Sequence, residues 1–390
     1  MRFAPVCNRG AVGRLFPLIA AVILVDSVFY SAITPLLPQY SDDLGLSKSA
    51  AGLLSASYAA GTLLAALPGG WLAGRAGGRA TTLLGLALLG VTSVAFGFAE
   101  DIVLLDTARF LQGVGGACSW AGCLTWLVSE SPPERRGETI GAVLGVAVVG
   151  FLIGPALGAA ATEVGTEAVF SGAAVLAAAL ATWALFTREG RREAPASLGV
   201  LASALRRRPL ASAVWLFTLP ALFAGTLNVL VPLRMDDLGA SAFAIGAVFI
   251  AGSAAEAVMS PLLGRFSDRR GRWLPLRVGL VGAGLTALLL PLPGTAWVLA
   301  GATLATVIAL AFFWAPAGAM LSEAAESAGL DQGLAFGVLN LAWAGGQVVG
   351  GGASGALADL ASDAVPYALL GALCLVTLVL ARDRGPVSAL

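Results

Sequence analysis

Three charged side chains interrupt long apolar stretches of the sequence, and they are the residues best able to do chemistry there: Asp26, Arg109 and Glu256. An ionised side chain in mid-membrane costs about 2.5 to 3.5 kcal/mol on insertion scales, so it usually faces a cavity and has a function. Asp26 lies roughly ten residues from either end of its apolar stretch, which places it near the midplane of a bilayer. We predict that Asp26 binds and releases a proton. The alternative is a carboxylate satisfied by neighbouring hydroxyls.

Arg109 is the cation expected to act with Asp26. Because arginine stays protonated in proteins, it cannot carry the proton, and its expected role is to tune Asp26 electrostatically and to exchange partners. The alternative is a pair with Asp106, three residues earlier on the same helix. Glu256 shares a helix face with Ser253. It could be a second proton site, a contact for a cationic compound or a hydrogen bond between helices.

Polar and aromatic side chains recur at helical spacing in the same apolar stretches. They could line a cavity suited to a lipophilic, partly aromatic compound, although aromatic residues at this spacing more often serve packing. The candidate cavity residues are Phe29, Tyr30, Gln112, Trp120, Asn228, Phe313, Trp314, Asn340, Trp343 and Gln347.

Several classes of function are disfavoured by what the sequence lacks. It has no histidine, and its four cysteines are widely scattered, which leaves no basis for a metal cluster, a catalytic triad or a disulfide framework. It has no phosphate-binding loop that would indicate a nucleotide as energy source. The formal net charge is zero, which is unlike a nucleic-acid-binding protein. We therefore expect neither an enzyme nor a cofactor.

The elements that position these residues follow from the composition. Hydrophobic residues make up 58% of the chain and charged residues 12%, whereas a soluble domain carries about 25% charge. With a mean hydropathy of +0.87, this is the composition of a polytopic, all-α membrane protein. Runs of about 20 apolar residues predict twelve spans. They are Phe16–Leu37, Ala50–Leu72, Thr81–Phe98, Ile102–Val128, Ile140–Ala161, Ala168–Phe186, Leu210–Leu233, Phe243–Leu263, Leu274–Leu292, Trp297–Leu321, Leu334–Leu357 and Val365–Ala381.

The basic residues orient these spans. If both termini are cytoplasmic, all but three of the 23 lysines and arginines fall on the inner side, as the positive-inside rule requires. Only Lys48 and Arg234 lie outside, and Arg109 lies within the fourth span. The basic N-terminus and its apolar run superficially resemble a signal peptide, but they show no convincing cleavage site. We read them as a retained first span.

The chain also repeats itself at about half its length. The sequence Asp-Asp-Leu-Gly at 42–45 recurs at 236–239, and several glycines, Pro38 and Ser47 recur at the same offset of 194 or, for some glycines, at 196. This predicts two pseudo-symmetric six-helix halves, residues 1–186 and 210–390, joined by a cytoplasmic linker at residues 187–209. Two similar bodies around a midplane site are typical of transporters that work by alternating access.

Two loops carry related motifs, one copy in each half. The first copy contains Gly70, Arg75, Gly77 and Arg79, with Gly74 where the second copy has an aspartate. The second copy contains Gly264, Asp268, Arg269, Gly271 and Arg272. The glycines allow a tight turn, and the arginines can pair with acids at helix ends. The alternative is that the arginines serve only as topology anchors.

The fifth span carries the most specific pattern in the sequence. Gly141, Gly150, Gly154, Pro155 and Gly158 occur with fixed spacing, and three of these glycines fall on one helix face where another helix can approach closely. Pro155 removes a backbone donor and offers a bend or gate.

Together with both loop motifs, this pattern resembles the major facilitator superfamily over essentially the whole chain. The segment from Arg109 to Gly116 resembles the family's buried-arginine motif, and the glycines with Pro155 resemble its antiporter motif. Asp26 and the Pro-Leu-Leu-Pro at 35–38 resemble the first helix of its proton-coupled drug exporters. The resemblance implies that the spans carrying Asp26 and Arg109 are neighbours.

The resemblance further implies a proton-coupled antiporter that exports small lipophilic or cationic compounds, with protons, a small-molecule substrate and the lipid bilayer as its partners. It implies a bacterial cytoplasmic membrane and function as a monomer. A proton symporter or facilitator for a small metabolite, or a lipid flippase on the same fold, stays the alternative.

Overall fold

The computed structural model describes residues 9–132, 135–189, 204–330 and 332–382, and in these ranges every regular element is helical. Twelve of the helices have between 17 and 32 residues. The helices are α1 (Arg9–Ser31), α2 (Leu37–Leu44), α3 (Lys48–Ala76), α4 (Gly78–Gly97), α5 (Ile102–Glu130), α6 (Arg136–Val164), α7 (Thr166–Phe186), α8 (Arg208–Asp237), α9 (Ala242–Arg270), α10 (Trp273–Leu289), α11 (Ala296–Ser327), α12 (Gln332–Leu360) and α13 (Ala364–Arg382).

Nine of the described helical segments are long and apolar enough to cross a membrane. They are α1 with α2, α3, α4, α6, α7, α8, α9, α11 and α13. The chain is therefore an all-α membrane protein. Helix α10 is apolar but has only 17 residues, and α5 and α12 carry the buried polar groups described below. For these three helices, membrane crossing stays a prediction. The first predicted span is interrupted at a short 3₁₀ turn, Thr34–Leu36, where Pro35 supplies no backbone donor.

Residues related by the repeat form the same helix ends. Ser47 and Ser241 are N-caps of α3 and α9, because each hydroxyl accepts the backbone N–H three residues later. Gly77 (φ 99°) and Gly271 (φ 81°) end the same two helices in a backbone region that favours glycine. The sequence repeat is thus a repeat of local structure.

The helix packing repeats in the same way. Among the N-terminal helices, α1 packs on α6, α3 on α5, and α4 on both α5 and α7. Among the C-terminal helices, α8 packs on α12, α9 on α11, and α10 on both α11 and α13. The two groups meet through α3 with α12 and through α6 with α9, which are again related by the repeat. The boundaries of the two halves and the linker stay predictions, because residues 190–203 lie outside the described ranges.

Bare glycine backbone lets the paired helices approach closely. A Cβ atom at Gly150 would lie 2.5 Å from the Cβ of Ser27, and one at Gly154 would overlap Ser31 at the end of α1. One at Gly158 would overlap the carbonyl of Ala32, directly after α1. Gly346 and Gly350 of α12 meet α8 in the same manner. Gly141 has open space around its Cβ position and lies outside this seam. Three of the four predicted glycines therefore form a helix contact.

Candidate functional site

The carboxylate of Asp26 lies inside the N-terminal helices, where only 3% of the residue is exposed. The hydroxyl of Tyr58 on α3 donates to both of its oxygens, at 2.9 and 3.0 Å. The indole Nε1 of Trp120 on α5 donates to Oδ2 at 3.0 Å. Three helices therefore converge on one acid, and both donors belong to side chains that can rotate. Trp120, predicted from the sequence as a cavity residue, lies beside the acid instead.

Arg109 is fully buried, and it is bound to backbone rather than to a carboxylate. Its guanidinium donates to the carbonyls of Phe29 (3.2 Å) and Tyr30 (3.0 Å) on α1, and to the side chain of Gln112 (3.1 Å). The Cζ atom lies 5.2 Å from the ring centroid of Tyr58, within cation–π range. Tyr58 thus stands between the cation of Arg109 and the anion of Asp26.

Two ion pairs considered for Arg109 are not formed. In the described part of the chain it makes no salt bridge with Asp26 or with Asp106. Asp106 instead accepts a hydrogen bond from Ser57 at 3.1 Å. The two carbonyl groups near the end of α1 and the Gln112 side chain accept three hydrogen bonds from the guanidinium, whereas its buried Nε–H has no hydrogen-bond partner among the residues that the structure describes. The charge is therefore compensated by dipoles and an aromatic face.

Close approach between α3 and α5 makes this arrangement possible. A Cβ atom at Gly113 would overlap the carbonyl oxygen of Tyr58, and one at Gly61 would overlap that of Phe110. At Gly116 a Cβ atom would overlap the Tyr58 hydroxyl and lie 3.0 Å from Oδ1 of Asp26. The glycines of the buried-arginine segment therefore provide the space in which Tyr58 reaches the acid.

A central cavity of about 190 Å³ lies between the N-terminal and the C-terminal helices. Of the predicted site residues, it is lined by Tyr30, Pro155, Asn228, Glu256, Trp314, Trp343 and Gln347. Glu256 is half-buried on the cavity wall and supplies the one charged side chain among the described lining residues. No group of three or more His, Cys, Asp or Glu side chains within the described ranges is placed to hold a metal ion.

Other predicted cavity residues serve packing or the polar network. Phe29 is buried against Phe170, with ring centroids 5.6 Å apart. Phe313 is fully buried beside Gly279. Gln112 is buried between Arg109 and the hydroxyl of Ser93, to which its amide donates at 3.2 Å. Asn340 is half-buried one turn before Trp343 on α12 and is not among the residues lining this cavity.

The loop motifs form contacts at the opposite ends of α3 and α9 from their N-caps. Arg75 stacks on Trp71 at 5.3 Å, and Arg79 donates to the carbonyl of Thr187 at 3.3 Å. In the second copy, Arg272 pairs with Glu323 on α11. Arg269 is exposed, and Gly70 and Gly264 have open space around their Cβ positions. The side chain of Asp268 lies outside what the structure describes.

The two groups of helices are closed against each other at the N-terminal end of α3. The Asp359 carboxylate on α12 accepts the backbone N–H groups of Lys48 (3.1 Å) and Ser49 (2.7 Å). The ammonium of Lys48 pairs with Asp363 at 2.6 Å. Gly355 lies directly against the carbonyl of Lys48. We call Lys48, Ser49, Gly355, Asp359 and Asp363 the outer latch, because the positive-inside rule predicts that the arginine-rich loops at the other end of α3 and α9 are cytoplasmic and that this end is outside.

Sequence reasoning missed Tyr58, the donor shared by both oxygens of Asp26. Tyr58 is one of only four tyrosines, and it lies in mid-span on α3 beside Ser57. Two adjacent polar residues in the middle of an apolar span were the signal from which a buried contact of Tyr58 could have been predicted. The distance of 32 residues between the two partners conceals the contact.

Comparisons with known proteins agree with this architecture. The family model for the Major Facilitator Superfamily matches residues 19–329 and again residues 219–388. The MFS-type transporter ppzB of Metarhizium rileyi is 32% identical over 41% of this chain and 34% of its own length. The synaptic vesicular amine transporter of Mus musculus is 27% identical over 68% and 52%. The quinolone resistance protein NorA of Staphylococcus aureus is 29% identical over 34% of each chain. The matches thus span between a third and about half of these relatives.

Solved structures agree on the fold. A POT family transporter in complex with a thioalcohol conjugated peptide aligns with a TM-score of 0.76 at 16% identity, over 96% of each chain. The xylose transporter XylE from E. coli, in a partially occluded inward open conformation, aligns with a TM-score of 0.75 at 14% identity, over 97% and 98%. From its repeated helix packing, its apolar spans and a family model that matches most of its length, the chain belongs to the major facilitator superfamily of membrane transporters.

Proposed function

We propose that the protein is a secondary active antiporter that exports small lipophilic or cationic compounds in exchange for protons. Two halves, residues 1–186 and 210–390, move against each other so that the central cavity faces each side of the membrane in turn. The protein acts as a monomer in a bacterial cytoplasmic membrane, with both termini in the cytoplasm. A gradient drives such a cycle only if the two conformations bind the proton or the cargo differently.

The observation that carries this proposal is the environment of Asp26. A carboxylate at mid-membrane depth is stable as an anion only while donors compensate it, and here Tyr58 and Trp120 do so from two different helices. When Asp26 takes up a proton, its need for these donors falls, and both side chains are free to turn. Protonation can therefore alter how α1, α3 and α5 pack.

Tyr30 connects this acid to the cavity. It lies one turn after Asp26 on α1, and its backbone carbonyl accepts a hydrogen bond from Arg109. Its ring packs on Tyr58, with centroids 4.9 Å apart, and reaches Trp343 of the C-terminal helices at 5.4 Å. A change at Asp26 is thus relayed through Tyr58 and Tyr30 to a side chain that lines the cavity and contacts both groups of helices.

The relatives support export of drug-like or amine compounds. One is named for quinolone resistance and another for vesicular amine transport. Gly150, Gly154 and Pro155 support an antiporter by the resemblance of their motif. Fold alone leaves direction and cargo open, because a peptide-binding transporter and a xylose transporter have the same architecture.

Proton movement in liposomes tests the proposal. The full chain is reconstituted with a pH-sensitive dye inside the vesicles, a pH gradient is imposed, and lipophilic cations and neutral antibiotics are added in turn. We expect cargo to trigger proton movement with the wild-type protein and not with Asp26→Asn, which keeps the shape of the side chain but cannot ionise.

Asp106→Asn is the matched control, because Asp106 is an acid of the same region and is bound to Ser57 outside the Asp26 network. It should retain coupled flux. Coupled flux in Asp26→Asn would contradict the assigned role of that residue. Proton and cargo moving in the same direction would favour a symporter, and movement of labelled lipid alone would favour a flippase.

A further inference from the structure

The charges inside the membrane region are divided between two compartments of the structure. Asp26 and Arg109 are 3% and 0% exposed, and neither lines the central cavity. Both make hydrogen bonds with Tyr58, Trp120 or backbone carbonyls, so their charges are already compensated. A compound inside the cavity does not meet these two side chains.

Glu256 is in the opposite situation. It is half-buried on the cavity wall formed by α9, and it makes no hydrogen bond or ion pair with any residue in the described ranges. No lysine or arginine lines the cavity among the described residues. A carboxylate that is withdrawn from water without a partner is costly, and a cation that enters the cavity offsets that cost. The cavity is therefore built to attract positive charge.

The aromatic and polar side chains on the other walls of the cavity suit the uncharged part of an organic cation. Trp314 and Trp343 line the cavity with Tyr30, and the Tyr30 and Trp343 rings meet edge to face. Aromatic faces attract organic cations, and the attraction is larger where water is excluded. Asn228 and Gln347 add neutral hydrogen-bonding groups to the same wall. Aromatic faces around a single carboxylate favour an aromatic compound that carries one positive charge.

We propose that Glu256 is the cargo-binding carboxylate of the central cavity and that the preferred cargo is an aromatic organic monocation. This inference rests on the proposed export function and refines it, because it separates the residue that binds cargo from Asp26, the residue that binds the proton. Of the three roles that the sequence leaves open for Glu256, the inference selects the contact for a cationic compound over a second proton site and a hydrogen bond between helices.

Equilibrium binding to the purified full chain in detergent tests the inference without transport. The probes are tetraphenylphosphonium, an aromatic monocation, and triphenylphosphine oxide, a neutral aromatic compound of related shape. Binding is followed by calorimetry. We expect Glu256→Gln to weaken binding of tetraphenylphosphonium at least tenfold and to change binding of triphenylphosphine oxide less than twofold. Glu256→Asp, which keeps the charge, should recover most of the affinity for the cation.

Glu138→Gln is the matched control, because it removes the same charge from a side chain that is 76% exposed and remote from the cavity. It should bind both probes as the wild-type protein does. Size-exclusion profiles and thermal unfolding establish that each variant is folded. The inference is overturned if Glu256→Gln binds the cation as tightly as the wild-type protein, if both probes weaken equally, or if the wild-type protein shows no saturable binding of tetraphenylphosphonium.

Two measurements keep this inference distinct from the proposed export function. If Glu256-dependent binding is found and proton-coupled flux is not, antiport fails and the cation site stands. If coupled flux depends on Asp26 while cation binding does not depend on Glu256, the cation site fails and antiport stands. Asp26→Asn should retain tetraphenylphosphonium binding within about threefold, because Asp26 does not line the cavity.

Discussion

At the scale of single residues, Tyr58 is the side chain on which the buried charges depend. Its hydroxyl donates to Asp26, and its ring lies under the guanidinium of Arg109. Tyr58 on α3 therefore contacts both the carboxylate of Asp26 on α1 and the guanidinium of Arg109 on α5. A direct ion pair would hold both charges in one geometry, whereas this arrangement lets Asp26 change its charge while Arg109 stays bound to the carbonyls of α1.

Tyr58→Phe separates these two roles, because it removes the hydroxyl and keeps the ring. We expect the free energy of unfolding to fall by about 1 to 3 kcal/mol, the usual cost of leaving a buried polar group without its partner. Cargo-triggered proton flux should also fall severalfold. Thermal unfolding in detergent and flux in liposomes measure the two effects.

Tyr367→Phe is the control for this change. Tyr367 is also buried, at 3% exposure, but it lies on α13 and makes no hydrogen bond with Asp26 in the described part of the chain. It should leave coupled flux unchanged. Equal flux in Tyr58→Phe and in the wild-type protein would show that the hydroxyl is dispensable for coupling.

The sequence supplies the charged residues of the site but not their partners. Asp26, Arg109 and Glu256 are identifiable because charge is costly in an apolar span. Which face of each helix meets which neighbour depends on how the helix is rotated about its axis, and the sequence does not fix that rotation. A small error in the assumed rotation of α5 places Trp120 on the cavity wall instead of beside the Asp26 carboxylate, to which it donates. For the same reason, the sequence does not distinguish Phe29 and Phe313, which pack in the core, from Trp314 and Trp343, which line the cavity.

At the scale of elements, helix positions are more predictable than helix contacts. Every predicted span falls mainly on helix, because the length of an apolar run and the Ser and Gly residues at its ends are local properties. The main exceptions are the break after α1 in the first span and the last three residues of Leu274–Leu292, which lie beyond α10. Spacing alone does not reveal how far a glycine seam extends. Gly150, Gly154 and Gly158 lie against α1 or the residue directly after it, whereas a Cβ atom at Gly141, at the start of the same motif, would meet nothing within 4 Å.

Two alanine substitutions on α6 distinguish these positions. At Gly154 a Cβ atom would overlap Ser31 and lie 2.5 Å from the Val28 carbonyl, so we expect Gly154→Ala to lower thermal stability and transport. At Gly141 the added methyl group meets open space, and alanine favours a helix by about 0.8 to 1 kcal/mol over glycine. Gly141→Ala should therefore be neutral or stabilising.

Thermal unfolding of both variants under identical detergent conditions measures the difference. A loss of stability in Gly141→Ala comparable with that in Gly154→Ala would mean that the motif acts as a unit rather than through the contacts of α6 with α1.

At the scale of the whole molecule, the outer latch joins the two groups of helices at one end. Asp359 caps the N-terminus of α3 from the opposite group of helices, and Lys48 pairs with Asp363 across the same boundary. These contacts must break if the cavity is to open at this end. We therefore expect their strength to influence the population of the open conformation in the proposed transport cycle.

Asp359→Ala should shift that population. Ser47 stays as the N-cap residue of α3, but the first two backbone N–H groups of this helix lose their carboxylate acceptor. Loss of a side-chain acceptor at a helix N-terminus costs about 1 kcal/mol, which corresponds to roughly a fivefold change in the equilibrium. We expect the rate at which an impermeant thiol reagent labels Ser55→Cys from outside to rise by about that factor, because Ser55 lines the central cavity. Replacing Cys7 by serine removes background labelling, since the other three cysteines are buried.

Asp237→Ala is the corresponding control. Asp237 lies at the same end of the molecule, but it pairs with Arg234 on its own helix and does not join the two groups of helices. It should leave the labelling rate unchanged. An unchanged rate in Asp359→Ala would mean that other contacts keep this end closed.

The separation of Asp26 from the cavity also bears on the electrical work of transport. A charge that crosses the whole membrane potential gains or loses about 2.3 kcal/mol per 100 mV. In the proposed mechanism Arg109 stays bound among the N-terminal helices, so the charges that move are the proton on Asp26 and the charge of the compound that Glu256 binds. One proton moving inward for one monocation moving outward transfers no net charge, and the membrane voltage then neither drives nor opposes the exchange. A neutral compound carried through the same cavity leaves the proton charge uncompensated, so its export is driven by voltage as well as by the pH difference.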